Sequence, residues 1–153
     1  MSFTRPGTTG RDARAVTATR WAGWLCMAVA AGHTALVTAM TWPHWPGWLS
    51  GELWWAVGSG EHLDSALAFW SVPGGFVVPL VLVGLTALRS ARDGRTLPGH
   101  VGVIMLVWAA FGSYVAFPTG FPLLFAPAVL ILFAARQDRA VAATPEPVVH
   151  HDG

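Results

Sequence analysis

Residues 21–40 read WAGWLCMAVAAGHTALVTAM, twenty consecutive positions without a charged side chain. At 1.5 Å per residue a helix of that length spans about 30 Å, the thickness of a bilayer's hydrocarbon core. A fully buried helix of a soluble protein has the same apolar look, so one run decides nothing by itself. The chain repeats the feature three times: Ser65–Leu88, Gly99–Phe117 and Phe121–Ala135 are also uncharged. A soluble domain carries about 25% charged residues. Here charged residues make up 11% and hydrophobic ones 54% of 153 residues. Too little polar surface remains to cover a globule in water, and lipid is the solvent that fits.

Proline and glycine divide the runs. Pro118 and Gly120 lie near the middle of the uncharged stretch 99–135, which is too long for one crossing. A helical hairpin fits, with Pro118 ending one helix and Pro122 starting the next. The expectation is therefore an all-α, four-helix transmembrane bundle over 21–136, with spans at 21–40, 65–88, 99–117 and 121–135. Residues 1–20 and 137–153 read as flexible tails. The first run exceeds the 7–15-residue core of a cleavable signal peptide, although Val37 and Ala39 are small enough for a cleavage site. Pro127 should bend or break the fourth helix, because its ring clashes with the Leu123 carbonyl.

All nine basic residues are arginines: Arg5, Arg11, Arg14, Arg20, Arg89, Arg92, Arg95, Arg136 and Arg139. Four spans put every one on the same side, opposite Glu52, Glu61 and Asp64. The positive-inside rule then places both termini in the cytoplasm and the protein in the cell membrane. Cys26, the single cysteine, reads as a small core residue.

Between the first two spans lies a loop with Trp42, Trp45, Trp48, Trp54 and Trp55. Indoles favour the membrane–water boundary, so this is an interfacial belt, or an aromatic surface for a lipid or sugar headgroup. Glu61-His62-x-Asp64 has metal-ligand chemistry but no second cluster, and Asp64 also reads as a helix cap. No metal or cofactor is expected. His100 cannot pair with His33 as a haem ligand, and no acid lies within a span to couple protons to transport. His150 and His151 fall in the tail.

His33 is the ionisable side chain deep in a span, and such groups face the bundle interior rather than lipid. The expected partners are the Phe69 carbonyl, left free by Pro73, together with Ser71, Ser113 and Tyr114. Ala28, Gly32, Ala35 and Ala39 form a small-residue stripe on the same helix that permits close helix contact.

The positions Pro98, Gly102, Gly112, Pro118-Thr119-Gly120-Phe121, Leu123 and Pro127 form a pattern, together with Gly32-His33 and Ala68-Phe69-Trp70. Over residues 20–136 this resembles a family of small bacterial four-helix membrane proteins catalogued as a domain of unknown function. Where the family has serine before the glycine that follows the third helix, this chain has Thr119. The resemblance implies a membrane protein and supplies no activity.

With no phosphate-binding loop, nucleophile elbow or nucleic-acid patch in the chain, the reading is non-enzymatic. The protein would pack with itself or with a membrane partner. The alternative is a small-molecule or lipid binder using a polar pocket of His33, Ser71, Ser113 and Tyr114.

Overall fold

The computed structural model describes residues 10–54, 56, 60–71, 75–116 and 119–142, which are helical and contain no strand. Trp55, Pro73, Pro118, His150 and His151, on which parts of the sequence reading rest, lie outside the described residues. Helix α1 (Gly10–Thr41) runs for 32 residues, about 48 Å at 1.5 Å per residue. Residues 10–20 are thus helical rather than a tail. Asp12 lies in the first turn, where the helix dipole favours a carboxylate. Ala15 and Ala18 are buried against Ala134 and Leu130 of the last helix. This packing extends α1 well ahead of Trp21.

A 3-10 turn (Trp42–His44) leads into the short helix α2 (Trp45–Leu49). Pro43 and Pro46 occupy opening positions, where no backbone N–H is needed. The 65–88 run is two helices and not one, α3 (Leu63–Ser71) and α4 (Val77–Arg92). Pro79 explains where α4 begins, since a proline is tolerated in the first turn and not in the interior. Helix α5 (Gly99–Val115) follows. A 3-10 turn (Phe121–Leu124) then leads into α6 (Phe125–Ala142). The helix does not break at Pro127 as expected; it runs on through it, and only the helix type changes, between Leu124 and Phe125. Pro127 falls in the first turn of α6, where its missing N–H costs nothing. Helix α6 also continues past Arg136, into residues read as a tail. Two helical stretches, Asp12–Leu49 and Phe121–Ala140, are long and apolar enough to cross a membrane, and α5 is a shorter apolar helix.

Helix α1 packs along both α4 and α6, and α5 packs on α6. Glycines set the separations. A Cβ on Gly23 would lie 2.9 Å from the Gly84 carbonyl oxygen, so α1 sits against the backbone of α4. A Cβ on Gly102 would lie 2.8 Å from Leu132 Cγ and 2.9 Å from the Ala128 carbonyl oxygen, which brings α5 equally close to α6. The buried core is correspondingly small-sided: Ala22, Cys26, Ala30, Ala87, Ala109 and Ala128 line it, with Leu124 and Ile131 its largest fully enclosed aliphatics. Large apolar side chains point outward instead, among them Trp21, Leu36, Leu82, Leu85, Ile104, Val107, Phe111 and Phe133.

The helices are antiparallel but not level. Along α1, Gly23 meets Leu88 and His33 meets Phe76, so α3 and α4 together follow α1 toward Thr41. The α5–α6 hairpin is displaced the other way. Its turn residue Gly120 shares a cleft with Ala28 and Gly32, and from Gly32 α1 runs roughly 14 Å further to its end.

Candidate functional site: a cleft beside His33

That displacement leaves the C-terminal turns of α1 without a neighbour on the α6 side. The space there is a half-open cleft of about 360 Å³. Leu25, Ala28, Val29, Gly32 and Leu36 of α1 form one wall, and Phe76, Gly120 and Leu123 form the other. Among the described residues His33 is its one ionisable side chain.

The His33 ring is held in place from behind. Its Nε2 lies 2.8 Å from the backbone oxygen of Ser71. Ser71 ends α3, so this oxygen is one of the carbonyls a helix terminus leaves without an intrahelical donor. A carbonyl only accepts, so Nε2 carries the proton of this bond. Nδ1 is left as the ring's other polar atom, without a protein partner among the described residues. Phe76 packs on the imidazole at 4.6 Å between centroids and is itself in contact with Trp108 and Phe121. These three aromatic rings carry the floor of the cleft into the core.

Of the polar cluster read from the sequence, the structure brings together two members. Ser71 contributes its carbonyl, while its hydroxyl bonds back to Leu67 O at 2.8 Å. The Phe69 carbonyl is replaced in the predicted role by that of Ser71. Tyr114 is 88% exposed and does not line the cleft. Ser113 is also absent from the lining, and its Oγ is enclosed without a hydrogen-bond partner among the described residues. Phe76, Gly120 and Leu123 went unrecognised in the sequence. The available signal was the shortness of the fourth run, which cannot cover all of a longer first helix.

The small stripe of α1 is also placed differently from expectation. Ala28, Gly32, Ala35 and Ala39 are exposed. The contacts with α4 and α6 are made by Ala15, Ala18, Ala22, Gly23, Cys26 and Ala30.

The Trp-rich segment is a chain of ring contacts at the end of the molecule beyond α1. Trp42 stacks on Trp45 at 6.0 Å, Trp45 meets Trp48 at 5.5 Å, and Trp48 meets Phe69 edge-on at 5.6 Å. Trp48 Nε1 donates to Ser65 Oγ at 3.0 Å, which ties α2 to α3. His62 Nδ1 lies 3.4 Å from Glu52 Oε1, a pair of an exposed imidazole and a half-buried carboxylate. Asp64 sits in the first turn of α3 instead of capping it. Among the described residues no three histidine, cysteine or acidic side chains converge as a metal site would require.

A family model described as "Family of unknown function (DUF6463)" matches residues 17–138. No curated protein and no solved structure matches the chain.

Proposed function

The chain belongs to this family of unknown function, whose description carries no activity, and we propose its role from the molecule itself. It is a multi-pass protein of the cell membrane with both ends in the cytoplasm. It works by packing with itself or with a membrane partner rather than by catalysis. The observation that carries the membrane reading is the inverted distribution of side chains. A soluble bundle buries leucine, isoleucine and phenylalanine and exposes polar groups. This one buries mainly alanine, glycine and cysteine, with Leu80, Leu97, Met105, Leu124 and Ile131 besides, and exposes Leu82, Leu85, Ile104, Val107, Phe111 and Phe133. That pattern suits helices solvated by lipid, where association depends on close approach of backbones rather than on hiding apolar surface.

Hydroxyls fit the same solvent. Thr34, Thr41, Thr86 and Ser71 each donate to a carbonyl one turn back in their own helix, which satisfies them without water. In this reading α1, α5 and α6 each cross once, and α3 with α4 forms one interrupted crossing. Arg14 and Arg20, Arg89 and Arg92, and Arg136 and Arg139 then share one end of the antiparallel bundle, with Glu52, Glu61 and Asp64 at the other. Reporter fusions after residues 18, 54, 93, 119 and 145 test this. A periplasm-active reporter at 93 or 145 overturns the topology.

The exposed stripe Ala28, Gly32, Ala35 and Ala39 supports packing as the mode of action, since small residues at this spacing let a second helix approach. Ala35→Cys in native membranes should give a disulfide-linked dimer if the partner is a second copy. A photocrosslinking residue at the same position should capture another protein if it is not. Absence of both products rejects packing through this face. The cleft beside His33 favours a second reading, a small-molecule or lipid binder.

A further inference from the structure

The geometry points to a membrane-soluble phenol as the occupant of the His33 cleft, bound by a hydrogen bond from its hydroxyl to His33 Nδ1. This rests on the second reading above and adds the chemistry of the ligand. Because Ser71 O accepts from Nε2, the neutral ring offers a bare Nδ1, which is an acceptor. Among the described residues the lining holds no other ionisable group: Leu25, Leu36 and Leu123 are aliphatic, and Phe76 presents a ring beside the imidazole. A site with one acceptor among apolar walls selects an apolar molecule with one donor. A ligand that only accepts, such as a ketone or an ether, meets lone pair against lone pair. A phenol donates more strongly than an aliphatic alcohol, and its ring has Phe76 to pack on. The volume of about 360 Å³ equals that of about 12 water molecules at roughly 30 Å³ each, room for a small phenol such as 4-pentylphenol. Leu36 lines the cleft and is exposed on the apolar surface of α1, so a ligand dissolved in lipid reaches the cleft laterally.

The test uses the full chain in nanodiscs with ¹⁵N-labelled histidine. 4-Pentylphenol should bind saturably and shift the Nδ1 resonance of His33. 4-Pentylanisole, the same body with the donor methylated, should bind about tenfold more weakly, and 1-undecanol should fall between them. His33→Phe should abolish the preference for the phenol over the anisole while leaving weak binding of both. Equal affinity for phenol and anisole, or saturable phenol binding that leaves Nδ1 unmoved, overturns the hydrogen-bond assignment while the cleft still binds. Absence of saturable binding by all three probes overturns the binder reading itself. Strongest binding by undecanol replaces the phenol with an aliphatic alcohol.

Discussion

Gly102→Ala isolates the effect of a single methyl group at the close crossing of α5 and α6. The added Cβ would sit 2.8 Å from Leu132 Cγ, 2.9 Å from Ala128 O and 3.1 Å from Leu132 N. Two of these three atoms are backbone and cannot swing aside, so α5 must move away from α6. Overpacking of this kind costs about 1–3 kcal/mol, and exchanging glycine for alanine inside a helix returns about 0.5–1 kcal/mol. The net loss should be about 0–2.5 kcal/mol, near 1 kcal/mol at mid-range. Gly32→Ala is the control, because no atom lies within 4 Å of its added methyl. It should leave the monomer as stable as before, or more stable by about 0.5–1 kcal/mol. Steric trapping of the unfolded state in bicelles, at protein concentrations where self-association is absent, measures both. A Gly102→Ala variant at least as stable as its parent would mean that α5 and α6 do not approach this closely.

Ile131→Ala removes one of the largest enclosed side chains and should cost about 2–4 kcal/mol, whereas Val107→Ala on the outer surface should stay within about 0.5 kcal/mol. Ser113→Ala deletes the enclosed hydroxyl that has no partner among the described residues and should stabilise by up to about 1 kcal/mol. A clear loss there would point to a hydrogen bond made in the membrane. His33→Leu leaves the Ser71 carbonyl without its donor and should cost about 0.5–1.5 kcal/mol in the same unfolding assay.

What could be read from the sequence followed the physics of each feature. Uncharged runs and proline positions give helices and their interruptions, because hydropathy and the missing proline N–H act locally. Cys26 in the core and His33 against the end of α3 were legible for the same reason, through burial and the need of an imidazole for a partner. The choice of seam was not. Ala15, Ala18, Ala22, Cys26 and Ala30 have the same small-residue spacing as Ala28, Gly32, Ala35 and Ala39, and only the neighbours decide which stripe is covered. Those neighbours depend on how far the α5–α6 hairpin slides along α1, a tertiary quantity with no local signature. The slide brings Ala15 and Ala18 onto α6 and turns a polar-looking, arginine-bearing segment into helix. It also opens the cleft, whose walls come from three separate segments. Tyr114 was assigned to the polar cluster by depth alone, and depth says nothing about which face of α5 it occupies.

The same slide has a mechanical consequence in the bilayer we propose. A protein whose paired helices end at different heights presents a tall apolar flank along α1, α3 and α4 and a short one along α5 and α6. Lipids cannot match both at once. Either the whole molecule leans until the two flanks are equally covered, or the leaflet thins on one side of it. Both responses carry a free-energy cost that grows with bilayer thickness on the short side, so the protein should partition toward thinner membrane. A second molecule set against the short flank in the opposite lateral sense would relieve the imbalance for both.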